Sequence, residues 1–181
     1  MLFRSVISNR PGAAGLERAR AAGIETLERP HAAYASREAY DEALIAELRE
    51  RRVGLVCLAG FMRLVSPRFC DAFPGAILNI HPSLLPAFPG EQAQQQALAH
   101  GAKISGVTVH FVTPELDAGP IVLQEAVPVG DLDTVETLSE RILGVEHRIY
   151  PAAVQFVLSG QWRLVGRRVV AMPQAGGPAT P

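Results

Sequence analysis

An α/β fold, with a mainly parallel sheet wrapped by helices on both faces, follows from three features of this 181-residue chain. Short apolar runs rich in β-branched residues alternate with stretches of helical periodicity. Turn formers such as Asn9-Arg10-Pro11-Gly12 close the runs. A proline-dense loop starts at His81, where one run ends, and ligands of open α/β sheets gather outside the carboxyl ends of strands. The length suits one domain, assigned to residues 1–172. Residues 173–181 are too rich in Pro, Gly and Ala to pack and are expected to be a disordered tail.

Leu2 to Ser8 reads as the first strand, and Gly12 to Ala22, rich in Ala, Leu, Glu and Arg, as a helix with Gly23 at its left-handed cap. Ile24 to Leu27 is again a strand. Ser36 can cap a helix whose Tyr40, Leu44, Ile45 and Leu48 recur at helical spacing, with Arg49, Arg51 and Arg52 at its negative end. Val53 to Ala59 reads as a buried strand. Ser66-Pro67 is a cap followed by proline at the first helical position, which starts a short helix to Phe73. Ala76 to Ile80 is the next strand. Pro82, Pro86 and Pro89 keep the segment from His81 to Gly90 irregular, before a helix from Glu91 to His100. Val107 to Val112 and Ile121 to Val129 are strands. Asp133 to Glu136 has the form of a helix start, followed by Val135, Leu138, Ile142, Val145 and Ile149 on one face. Trp162 to Val165 and Arg167 to Ala171 make a terminal hairpin.

Seventeen Lys+Arg against eighteen Asp+Glu leave no basic surplus for a polyphosphate backbone, so a small molecule is the expected ligand rather than nucleic acid. Hydrophobic residues make up 48% and charged residues 19%, which argues against disorder and coiled coil. No apolar stretch approaches the length of a membrane span, and no membrane partner is expected. Cys57 and Cys70 lack the spacing of a disulfide framework or a zinc site, so a reducing cytoplasm and a metal-free protein are the natural readings.

Chemistry concentrates in two places. In Asn79-Ile80-His81-Pro82-Ser83-Leu84-Leu85-Pro86, Asn79 and His81 point the same way from a strand end, so an amide and an imidazole share the rim of the sheet. Such a pair suits acyl transfer: the amide can donate to an oxygen that becomes negative, and imidazole can supply a proton near neutral pH. A strand-ending Asn beside a core histidine has the same spacing. The second cluster, His110 to Pro120, holds Asp117 in an acidic turn; its carboxylate could orient His81 and favour the imidazolium, and ordinary turn chemistry explains it equally well. His110, in mid-strand, reads as structural. Ser83 lacks a nucleophile elbow.

The Asn79 to Pro86 segment resembles the signature of folate-dependent formyltransferases. Leu58 to Pro67, and Ser105 to Val112 running into Leu116-Asp117-Ala118-Gly119-Pro120, narrow the resemblance to phosphoribosylglycinamide formyltransferases, over about Phe3 to Val154. The resemblance implies a Rossmann-like formyltransferase fold, 10-formyltetrahydrofolate as cosubstrate, glycinamide ribonucleotide as acceptor, no metal, and a monomer or weak homodimer. It makes His81 the general acid, Asn79 the oxyanion-binding amide and Asp117 the carboxylate that raises the histidine pKa. It also places the folate against Met62, Arg63, Leu64 and Val65 and against Thr113, Pro114, Glu115, Leu116 and Asp117, with Asn79 alongside and Arg37 near the folate tail. Glu146 matches a contact to the ribonucleotide. For Met62, Leu64 and Val65, core packing is an equal alternative.

Relatives of this kind begin with one more strand, a Gly-Ser-Asn type loop and a helix, none of which precedes Leu2 here. The resemblance therefore implies an amino-terminally incomplete fold, with Met1 an internal or misassigned start. Two rival functions remain open at this stage. A formyltetrahydrofolate deformylase would use the same side chains against water, although Pro82 stands where a second histidine is usual. The other is a non-catalytic folate-binding remnant without the phosphate loop. A methionyl-tRNA formyltransferase would need a longer carboxy-terminal region than Gly160 to Pro181.

Overall fold

The computed structural model describes residues 3–172, so the expected tail at 173–181 lies outside the described residues. They fall into two compact units, one containing the residues up to Val56 together with Leu64–Pro74, the other Cys57–Arg63 together with the residues from Gly75 onward.

In the first unit β1 (Ser5–Ser8) pairs in parallel with β2 (Glu25–Glu28), Ser5 opposite Glu25. Parallel neighbours need a crossover, and α1 (Ala14–Ala21) supplies it, burying Leu16 and Ala19. The Ser36 hydroxyl accepts from the Ala39 N–H at 3.1 Å and starts α2 (Arg37–Glu50), whose Tyr40, Leu44, Ile45 and Leu48 are buried as their spacing predicts. Ser66 caps α3 (Pro67–Ala72), and its own N–H donates to the buried Asp41 carboxylate at 2.6 Å. On the surface Arg51 bridges Glu25 at 2.9 Å and Glu47 at 2.6 Å, and Glu47 also pairs with Arg29.

The larger sheet has the strand order β3-β4-β5-β6-β8-β7, with β3 at Val56–Leu58, β4 at Ile77–His81, β5 at Ile104–Phe111, β6 at Ile121–Pro128, β7 at Trp162–Val165 and β8 at Arg168–Ala171. It is mixed. β4 and β5 run antiparallel, as do β5 and β6, and β6 meets β8 in parallel at Ile121 and Arg168. The α/β class stands, with antiparallel ladders where the sequence pattern reads as mainly parallel: strand and helix periods locate elements but carry no information on strand direction. α4 (Ala93–Ala99) and the long α5 (Val135–Leu158) belong to this unit, and α5 packs Leu138, Ile142 and Ile149 toward β4, β5 and β6. The Tyr150 hydroxyl donates to the carbonyls of Leu58 and Leu78 at 2.7 and 3.2 Å, fixing α5 against β3 and β4.

Several boundaries differ from the sequence expectation: β5 begins at Ile104 rather than Val107, α4 is shorter at both ends, and the start of α5 and the length of β3 change as well. The cap of α5 is Thr134, which exchanges hydrogen bonds with Thr137 in a capping box, while Asp133 accepts from the Gly130 N–H and pairs with Arg141. β3 is only three residues long, not the full Val53 to Ala59 run. Among the described residues no helix is long and apolar enough to cross a membrane, and both cysteines are free thiols.

Candidate active site

The register of β4 on β5 builds the site. Asn79 lies opposite His110 and His81 opposite Thr108, and directly paired residues project from the same face, so four polar side chains share one side of an otherwise apolar pair of strands. Burial makes each of them demand partners. Thr108, fully buried, donates to the Ser83 carbonyl at 2.7 Å, and its hydroxyl accepts from the Leu85 N–H at 3.0 Å and from the Gln124 amide at 2.9 Å. Gln124 also donates to the Leu85 carbonyl at 2.9 Å. The loop after His81 is thus pinned to the sheet, so closely that a Cβ on Gly106 would sit 2.6 Å from the Leu84 side chain.

His81, 5% exposed, donates from Nε2 to the Phe88 carbonyl at 2.9 Å and turns Nδ1 toward the Asp117 carboxylate at 3.4 Å. Phe88 has φ 53 and Asp117 φ 48, the left-handed region that side chains other than glycine rarely adopt. Local structure holds Asp117 there. Its Oδ2 accepts from the Gly90 N–H at 2.8 Å, and two residues later a Cβ on Gly119 would fall 1.7 Å from the Phe111 carbonyl oxygen. The other carboxylate oxygen is 3.7 Å from Nε2 of His110. His110 donates from Nδ1 to the Phe111 carbonyl at 2.9 Å, which leaves Nε2 as an acceptor for the Asn79 amide at 3.4 Å. Burial holds the His110 pKa below the usual histidine value, against the opposing pull of the Phe111 carbonyl and Asp117.

The structure therefore brings Asn79, His81 and Asp117 into one sheltered cluster with His110 between the amide and the carboxylate. An amide donor, an imidazole and a carboxylate within reach of one another can stabilise a developing oxyanion and move a proton. In the same unit Thr113 donates to the Glu115 carbonyl at 3.4 Å, Pro114 and Glu115 are exposed, and Leu116 is 54% and Met62 67% exposed, apolar surface left to solvent. Arg63 is half-buried. Glu146 is half-buried on α5, and burial pushes its carboxyl above the usual range. In the first unit Arg37 pairs with Glu38 at 3.1 Å, Leu64 is exposed and Val65 is buried. Among the described residues no three His, Cys, Asp or Glu side chains gather as metal ligands.

Sequence reasoning passed over Thr108, Gln124 and the Phe88 and Gly90 backbone, and read His110 as structural. One signal was available. Gly106, Thr108 and His110 alternate with valines in β5, so two polar side chains of an apolar strand lie on the face that carries Asn79 and His81.

Residues 3–154 match the family described as formyl transferase. The human trifunctional purine biosynthetic protein adenosine-3 is 52% identical over 88% of the chain, and the chain spans 16% of that protein. Phosphoribosylglycinamide formyltransferase of Escherichia coli is 47% identical over 89% of the chain and 76% of its own length. Among solved structures, glycinamide ribonucleotide transformylase 1 from Symbiobacterium toebii superposes with a TM-score of 0.92 at 57% identity, covering 94% of this chain and 80% of that one.

Proposed function

The chain belongs to the formyl transferase family, and from that premise we propose that it transfers the formyl group of 10-formyltetrahydrofolate to the primary amine of glycinamide ribonucleotide, a step of purine synthesis. The observation that carries this reading is the convergence of Asn79, His81 and Asp117 on the β4–β5 face. The amine attacks the formyl carbon and the carbonyl becomes a tetrahedral oxyanion. The Asn79 amide and the Nε2–H of His81 donate to that oxygen, stabilising charge that exists only after attack. Asp117, facing Nδ1 of His81 at 3.4 Å, orients the imidazole and, through water, takes the proton that the amine sheds. Collapse breaks the bond to N10 of the folate, which collects a proton and leaves as tetrahydrofolate, while the formyl carbon stays on the amine. For His81 to reach the oxyanion, its Nε2–H exchanges the Phe88 carbonyl for it.

In the second unit the folate lies against Met62 and Arg63 and against Thr113–Asp117, with Glu146 on the ribonucleotide. Flat heterocycles bind to apolar walls with few fixed polar groups, and the exposed Met62 and Leu116 suit such a wall. A net charge of −1 with no basic surplus suits small-molecule substrates rather than nucleic acid.

The test is an assay with 10-formyltetrahydrofolate, with and without glycinamide ribonucleotide. Amine-dependent release of tetrahydrofolate, lost in His81→Ala, is the expected result. Formate released without the amine would make the protein a deformylase, and folate binding with neither product would make it a binding protein.

A further inference from the structure

We propose that the carboxy-terminal hairpin is a strap that holds the Asp117 turn in its working conformation, with Arg167 at its tip as a positioning residue. The proposal rests on the functional reading above for the purpose of the turn, and on separate observations for the strap itself. The hairpin, β7 and β8 with Gly166 and Arg167 between them, begins beyond Val154, where the family match ends. Its base is anchored twice. The Trp162 indole donates to the Val157 carbonyl at the end of α5 at 2.9 Å, and its ring lies 5.0 Å from that of Phe111. Its tip reaches the turn. The Arg167 guanidinium donates to the Ala118 carbonyl, the residue directly after Asp117, and the next residue, Arg168, pairs with Ile121 at the start of β6.

Phe111 connects the two ends. Its carbonyl accepts from His110, its N–H donates to the Pro120 carbonyl at 2.9 Å, and Gly119 packs directly on it. The left-handed Asp117 is thereby held from three sides: the Gly90 N–H on its carboxylate, Phe111 beneath Gly119, and Arg167 on the Ala118 carbonyl. An αL aspartate gives up intrinsic backbone preference, so the turn persists only while its surroundings define it. Arg167 is exposed on a turn, so its removal leaves the core intact.

The experiment is amide hydrogen exchange on the full 181-residue chain, unmodified and as Arg167→Ala, without ligand. Exchange across Thr113–Gly119 should quicken roughly three- to tenfold in the variant, the loss of one charge-assisted hydrogen bond, while Ile77–His81 keeps its rate. Arg167→Lys should recover part of the difference. A titration with 5-formyltetrahydrofolate, a stable formylated folate, should show Kd raised several-fold in Arg167→Ala. Unchanged exchange in Thr113–Gly119 overturns the strap whatever the titration gives, and so does equal quickening across the whole unit, which would mark a merely structural role. Failure of the unmodified chain to bind the folate counts against the proposed function, and the exchange result still decides the strap.

Discussion

Two polar networks, one in each unit, show how differently charge behaves on a surface and in a core. In the first unit Arg29, Glu47, Arg51 and Glu25 form a chain of ion pairs along α2 and β2, with Glu25 exposed and the other three half-buried at the surface, where water still reaches them when a partner is lost. In the second, Asn79, His110, Asp117 and His81 form a chain of about the same size around two buried imidazoles, where a missing partner is costly to replace. The surface network has several redundant contacts and modest consequence. The buried one has few contacts, each fixed by backbone geometry, and the proposed chemistry depends on them.

The contrast is sharpest in His81→Ala, for which formyl transfer should fall about 10²- to 10⁴-fold, and the unfolding midpoint should fall too, because the Phe88 carbonyl and the Asp117 carboxylate lose a buried partner. Steady-state turnover measured beside thermal melts checks it, and turnover within a factor of a few of the parent would end the assignment. Thr108→Val should cost about 2–3 kcal/mol in urea unfolding, because the Ser83 carbonyl, the Leu85 N–H and the Gln124 amide lose a common buried partner. A smaller effect belongs to His110. Its folded pKa lies below 6.5, so the unfolded chain binds the proton more readily. Stability present above that value is lost as pH falls through the folded pKa. Glu146, whose folded pKa is raised by burial, works in the opposite direction at more acid pH. Chemical unfolding followed across this range should show a slope that flattens in His110→Gln. The smallest change is expected for Arg51→Ala, and it should disappear in high salt, as exposed pairs are screened. A large, salt-independent loss there would erase the distinction between the two networks.

What could be read in advance follows the same division. Caps, periodicity and turn formers are local, and Ser36, Ser66 and the buried face of α2 stand where their spacing puts them. Strand direction is not local, and the antiparallel β4–β5 ladder that places His110 beside Asn79 has no sequence mark. Thr134 displaces Asp133 as the cap because Asp133 has Arg141 and the Gly130 N–H to satisfy, partners eight and three residues away. Within the candidate site, Asn79 and His81 were legible from a strand end followed by proline. Bringing Asp117 to them required the Gly90 N–H and the left-handed turn, which only the folded chain assembles.

Trp162 is the single tryptophan of the sequence, and it sits at the base of the hairpin against Phe111. The molecule thereby carries its own optical reporter, one indole whose emission is sensitive to the second unit alone. Circular dichroism, in contrast, sums the helices of both units, so a transition visible in ellipticity and silent in fluorescence would be the melting of α1, α2 and α3 by themselves.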